Sequence, residues 1–180
     1  MASSEALGSR AILVRDARDD ERDAMRALTL RAYAEFATVM DPDAWSALDG
    51  SVRSALAADT GAHRIVAERG GELVGSVMLY PPATQAYGAL SEALPWPELR
   101  LLAVEPSARG SGVARRLVEE CIRRARAMHA TELGLHTSSS MHAARRLYRA
   151  LGFERAPERD FQPPGAEVVE GFRLRLGTVV

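Results

Sequence analysis

Residues 104–117, VEPSARGSGVARRL, constrain the fold of this chain more than any other stretch. Just upstream, ELRLLAV has the apolar content of a buried strand. Downstream, Val113, Leu117, Cys121, Ala125 and Met128 recur at the spacing of one helix face. The proline and glycines between them mark a strand-to-helix turn. Such a turn leaves the first backbone N–H groups of the helix without intrahelical partners. The positive end of the helix dipole points the same way, so a phosphate is the natural guest.

Three phosphate-binding patterns compete for RGSGVA. A Walker loop requires Lys followed by a hydroxyl residue, and both are missing. A dinucleotide fingerprint G-x-G-x-x-G is met at Gly110 and Gly112, but Arg115 replaces its third glycine, and the unit sits in the wrong part of the chain for a Rossmann fold. A pyrophosphate-binding turn of the form [QR]-x-x-G-x-[GA] is met by Arg109, Gly112 and Ala114. The glycines also suit a bare strand-to-helix turn.

The remaining elements alternate without repeats or low-complexity tracts. A strand is predicted at Arg10–Arg15, then a helix capped by Asp16 or Asp19 and running through Phe36, with Met25, Leu28 and Ala32 inward. A second helix is predicted from Pro42 to Ala58. HRIVAERGGELVGSVMLY reads as a hairpin turning at RGGE, and residues 81–97, rich in Pro and small residues, as an irregular loop. A helix from about Ser111 to Met128 follows the glycine loop, then a strand at TELGLHTS. SMHAARRLYRALGF reads as a helix closed by Gly152 at C′, and FERA and EVVEGFRLRL end the chain, the second a strand by the alternation of Phe172, Leu174 and Leu176. This is an α/β (α+β) sandwich with a mixed sheet and about four helices.

At 180 residues the chain suits one domain. A net charge of -1 offers no broad basic field for nucleic acid or an anionic membrane, so neither is an expected partner. MASSEALGSR lacks the basic and apolar regions of a secretory signal, and no apolar run is long enough to span a bilayer. A cytoplasmic location is the expectation. The single cysteine, Cys121, excludes an internal disulfide and lies on an apolar stripe, which reads as a small buried residue. All basic side chains are Arg, which removes Schiff-base and Walker lysines. Four histidines without ligand spacing give no case for a metal.

The succession of strand, VxPxxRGxGVAxxL, long helix, strand and a helix ending LYxxLGF resembles the GNAT superfamily of N-acetyltransferases. The resemblance is strongest from Glu98 to Phe153, and the hairpin at 63–80 fits the family's central strands. It implies a mostly antiparallel sheet with a splayed strand pair holding acetyl-CoA. Backbone N–H groups from Gly110, Ser111, Gly112, Val113, Ala114 and Arg115 would cradle the pyrophosphate, with charge from Arg109 and Arg115. Leu102, Ala103 and Val104 would pair with the pantetheine amides, and the Leu102 N–H would face the developing oxyanion. Tyr148 matches the family tyrosine that protonates the departing thiolate. Many members place Asn seven residues before it; here that position is Met141, with Ser138, Ser139 or Ser140 as substitutes.

Glu98 occupies the place of the strand glutamate that serves some members as base, and His136 and His142 flank the same cleft in sequence. Attack would be direct, amine on thioester, because no Ser-His-Asp or activated-cysteine set is evident. The acceptor, a small-molecule or peptide amine, would enter between the loop 81–97, the first two helices and the segment 156–168. Trp45, Tyr87, Trp96 and Phe161 would line that entrance, and Glu92, Glu98 and Asp160 would attract a cationic amine. A non-catalytic acyl-CoA-binding regulatory module is the alternative, and a homodimer is compatible with the family's habits.

Overall fold

The computed structural model describes residues 11–90, 92–164 and 166–177. The N-terminal MASSEALGSR, from which the lack of a secretory signal was read, lies outside them. Seven strands form one sheet in the order β1-β2-β3-β4-β5-β7-β6. They are β1 (Leu13–Asp16), β2 (His63–Arg69), β3 (Glu72–Tyr80), β4 (Glu98–Val104), β5 (Glu132–Ser138), β6 (Glu154–Arg155) and β7 (Val169–Arg175). Four α-helices accompany them: α1 (Arg22–Tyr33), α2 (Pro42–Ala57), α3 (Val113–Ala127) and α4 (His142–Ala150). Every neighbouring pair is antiparallel except β4 and β5.

Both faces of the sheet are covered, which explains the near-continuous apolar run in β3. Val77 and Leu79 face a core with α3 and α4, alongside Leu99, Leu117, Cys121 and Leu135. Met78 and Tyr80 face the opposite core, with Met25 of α1 and Val52 of α2. Four of the five residues that announced α3 are fully buried; Met128 caps the helix and packs at the edge of the core. Among the described residues, no helix is long and apolar enough to cross a membrane.

The predicted elements needed local corrections. β1 extends to Asp16, which pairs with Ile65. Neither Asp16 nor Asp19 caps the first helix. Instead Glu21 accepts from the Arg18 backbone N–H at 2.7 Å and from Arg15 at 2.7 Å, tying the helix start to β1. These partners, Arg15 first, hold its carboxyl down at about 2. The helix predicted through Phe36 stops at Tyr33 and tightens to a 3₁₀ turn over Ala34–Thr38. At α2, Asp41 accepts from the Asp43 N–H at 2.9 Å with Pro42 at the first position, as an N-cap should.

Gly75 lets α3 approach the sheet. A Cβ there would lie 2.7 Å from Val113 Cγ1 and 3.1 Å from the Ala103 carbonyl oxygen. Gly75→Val should therefore destabilise the fold by about 1–3 kcal/mol through overpacking. At ~2–4 °C per kcal/mol for a domain of this size, thermal unfolding should show a clear drop.

β4 is where the sheet opens. Only Glu98↔Gly134 and Leu99↔Leu135 pair it with β5. On its other side, Arg100 pairs with Met78 and Ala103 with Ser76, so Leu101 and Leu102 stand opposite Val77 alone. This bulge puts Leu101 at φ +57°, a conformation that leucine adopts only under constraint. Between Arg100 and Val104 the backbone edge facing β5 has no strand partner.

Candidate active site

Three neighbouring cavities with shared lining residues follow from that opening. The outer one, about 430 Å³, lies between the bulged strand, the glycine turn and two helices. Leu102, Ala103 and Val104 form one wall, Arg109, Gly110, Gly112, Val113, Ala114 and Arg115 the next, and Ala143, Ala144 and Leu147 of α4 a third. Gly110 has φ +73° and Gly112 +85°, left-handed conformations that glycine adopts without penalty. A Cβ on either would meet no protein atom within 4 Å, so tight internal packing is not what requires glycine there. The turn presents bare backbone at the start of the 15-residue helix α3.

The side chains of the turn behave differently from the expectation. The Arg109 guanidinium pairs with Glu35 and reaches the Ala32 carbonyl, so its charge is already met by the end of α1. Arg115 lies 3.5 Å from Glu119 on the exposed face of α3. Ser111 turns its hydroxyl back onto the Ala108 carbonyl at 2.5 Å and does not line the cavity.

A small cavity of about 70 Å³ joins this cradle to the interior. Leu101 and Leu102 of the bulge, Tyr33, Phe36, Met141 and Tyr148 surround it. Tyr148 is fixed by the end of its own helix. Gly152, at φ +90°, donates to the Arg149 carbonyl, and the Phe153 N–H donates to the Tyr148 carbonyl at 3.0 Å. That is a Schellman closure, with the Tyr148 and Phe153 rings 5.7 Å apart as its apolar contact. Burial pushes the Tyr148 hydroxyl well above its ordinary pKa, with Tyr33 and Tyr87 adding to the effect. It therefore keeps its proton across the physiological range.

Beyond the junction lies a third cavity of about 130 Å³, between α1, α2, β5 and the segment 161–169. Tyr87 and Phe161 line it, as placed from sequence; Trp45, Trp96, Glu92 and Asp160 do not. Trp96 instead stacks under the Arg159 guanidinium at 3.9 Å, and Asp160 is held by Arg155 at 2.8 Å, which lowers its pKa. Met141 spans the junction and this inner cavity, while none of Ser138, Ser139 and Ser140 reaches the cradle.

The expected base is displaced from the cavities. Glu98 is only 2% exposed and lines none of the three; Trp96 and His136 surround it next to Gly134. His136 does line the junction, and only one of its ring nitrogens is hydrogen-bonded. Nε2 sits 2.9 Å from the Arg159 carbonyl, which can only accept, so this nitrogen carries hydrogen. Nδ1 lies 3.2 Å from Glu98 Oε1, a contact of two acceptors unless one further proton resides on the pair. His142 is exposed at the start of α4 and lines no cavity.

Covalent catalysis finds no support in these side chains. Cys121 is fully buried, and burial pushes its thiol up to about 12. Among the described residues, no serine or cysteine hydrogen-bonds a histidine ring, and no cluster of three metal-ligating side chains occurs. The sequence reading missed Tyr33 and Arg100, which line the junction. Arg100 did signal itself, as the one charged residue in the interior of an apolar strand.

Comparison with known proteins places this geometry. Residues 23–153 match the Acetyltransferase (GNAT) family. A putative acetyltransferase from Salmonella typhimurium, yncA, solved with acetyl-CoA, is 19% identical with a TM-score of 0.62, over 93% of this chain and 95% of that one. The ribosomal-protein-S18-alanine N-acetyltransferase from Escherichia coli is 19% identical at TM-score 0.65, over 94% and 97% of the two chains. A GNAT family acetyltransferase from Brucella melitensis, in complex with acetyl-CoA, is 20% identical at TM-score 0.58, over 93% and 90%. No curated protein matches the chain significantly. With the family match covering well over half of its length, on a seven-stranded sheet opened between β4 and β5, the chain belongs to the GNAT family of acetyltransferases.

Proposed function

We propose that this protein transfers the acetyl group of acetyl-CoA to an amine, by direct attack of the amine nitrogen on the thioester carbonyl. The observation that carries the reading is the succession of three cavities that share walls, the small one having Leu102 in common with the cradle and Arg100 and Met141 in common with the inner pocket. A cradle with bare helix N-terminal amides meets an enclosed pocket at a junction containing an unpaired strand bulge and a protonated tyrosine.

In this reading the amides from Gly110 to Arg115 receive the pyrophosphate, and the open edge Leu102–Val104 pairs with the pantetheine amides. The thioester then lies at the junction. As the C–N bond forms, the carbonyl oxygen gains charge and the Leu102 N–H stabilises it. As the C–S bond breaks, the sulfur takes the Tyr148 hydroxyl proton, and solvent restores that proton after product leaves. The amine proton passes to water at the cavity mouth. Glu98 enters as a positioning residue that fixes the His136 ring, and not as the base, because its carboxylate lines no cavity.

The direct test is release of CoA from acetyl-CoA across a panel of amines, with acetyl-CoA affinity measured in parallel. Binding without amine-dependent CoA release would overturn the enzyme and leave a binding module. A pH series adds a second check. If the acceptor enters as free amine, kcat/KM should rise with pH and level off at the pKa of each acceptor, moving from one acceptor to the next. A break at one fixed pH for all acceptors would place the base on the protein, at Glu98 or a histidine. Tyr148 should set no alkaline limit near its ordinary value, because burial raises its pKa.

A further inference from the structure

Arg100 is the one arginine lining the inner cavity, and it also lines the junction. Two of its donors are in use, to the Ala86 carbonyl and to Ser51 Oγ, each at 2.6 Å. The guanidinium carbon lies over the Tyr87 ring, 4.2 Å from its centroid. A guanidinium has five N–H donors in a fixed fork, so three remain. Among the described residues no carboxylate lies within 4 Å of it. Glu98, two residues earlier on the same strand face, is engaged with His136. Glu167, the one carboxylate lining the cavity, is exposed and accepts from Ser139 at 3.2 Å.

A part-buried cation in an apolar cavity without a counter-ion is a costly arrangement unless a guest supplies the anion. Its charge is felt inside the cavity. Burial pushes the Tyr33 hydroxyl up to about 12, and Arg100 works against that rise, as it does at Tyr87. A second polar group there has no partner: Thr137 is 4% exposed, lines both the cavity and the junction, and leaves its Oγ1 without a hydrogen bond. Most of the remaining wall is apolar, among it Met40, Ala44, Leu48, Val52 and Phe161, with His136, Ser51, Ser138 and Glu167 at its polar margin.

From these we infer that the acceptor carries a carboxylate, which docks on Arg100 with Thr137 as a second contact. Because Arg100 lines both the inner cavity and the junction, a carboxylate docked on it stands beside the reacting amine, the arrangement an α-amino acid offers. The acceptor class is therefore the free α-amino acid with an apolar side chain, and the side chain fills the cavity between α1 and α2. This inference rests on the transferase reading and replaces the expectation that acidic residues attract a cationic amine.

The test compares L-leucine and L-methionine with their amides and with the decarboxylated amines of the same side chains. With wild-type protein and acetyl-CoA, kcat/KM for the acids should exceed that for the amides and amines by about 10–100-fold, the yield of a charge-assisted contact. Arg100→Gln should remove most of that advantage while leaving the amides and amines nearly unchanged. Arg100→Lys, which keeps charge but lacks the fork, should retain part of it. Retained stabilisation by acetyl-CoA shows that each variant is folded, and the wild-type comparison decides alone where one is not. Equal rates for acid and amide, or a uniform loss for all acceptors in Arg100→Gln, would overturn the carboxylate site with the transferase intact. If no acceptor is acetylated, thermal stabilisation by millimolar L-leucine decides the site separately. Stabilisation of wild type and not of Arg100→Gln supports it, and none in either overturns it.

Discussion

Tyr148→Phe should lower turnover by about 10²–10⁴-fold, the usual yield of general acid catalysis, with acetyl-CoA affinity nearly unchanged. The ring stays, and so do its packing against Phe153 and the Schellman closure that uses only its backbone carbonyl. Only the hydroxyl is deleted. That hydroxyl has no hydrogen-bond partner among the described residues that would be stranded by the change. Burial keeps it protonated, so it is a donor at every pH where the protein is used. The need for a proton scales with the basicity of the departing thiolate, which gives the prediction a second arm. For thioesters of more acidic thiols the loss should shrink, because they need less protonation. Single-turnover rates are the measurement, since product release can otherwise mask the chemical step. Full single-turnover rates in Tyr148→Phe would leave the tyrosine as a core residue and nothing more.

Local chemistry made the glycine turn, α3 and the end of α4 legible, because their signals are backbone conformations. Gly110, Gly112 and Gly152 all adopt the positive φ that their sequence positions required. The hairpin of β2 and β3 was equally plain, with Gly70 and Gly71 at its turn both at positive φ. What stayed hidden depends on contacts between distant segments. Glu98 looks like an exposed strand opening in the sequence, yet Trp96 from the preceding loop and His136 from β5 close over it. Arg109 sits in a phosphate-binding pattern, but its partner Glu35 lies 74 residues earlier. The bulge at Leu101 and Leu102 has no glycine to announce it. It follows from register between β3 and β4, and that is set by the whole hairpin. The start of α2 was legible, because Asp41 and Pro42 cap it through neighbouring backbone alone, whereas at α1 side-chain reach from Arg15 to Glu21 decided the start.

Gly112→Leu should nearly abolish acetyl-CoA binding while the protein stays folded. Two effects of the substitution have to be separated. At φ +85° a leucine is strained by about 1–2 kcal/mol, which lowers stability whether or not anything binds. The second effect is exclusion: the side chain would project from the turn where a pyrophosphate must approach the backbone amides. Gly61 supplies the control. It has φ +69°, a Cβ there also meets nothing within 4 Å, and it lines none of the three cavities. Gly61→Leu should show similar strain and unaltered binding. The readout is thermal unfolding with and without acetyl-CoA. At a ligand concentration 100 times its Kd, wild type should gain about 2.7 kcal/mol, which is roughly 5–10 °C for a domain of this length. Gly61→Leu should melt lower than wild type yet gain the same increment. Gly112→Leu should melt lower and gain almost none. An undiminished increment in Gly112→Leu would mean that the phosphates do not rest on this turn. The left-handed glycines would then serve only to swing the chain from β4 into α3.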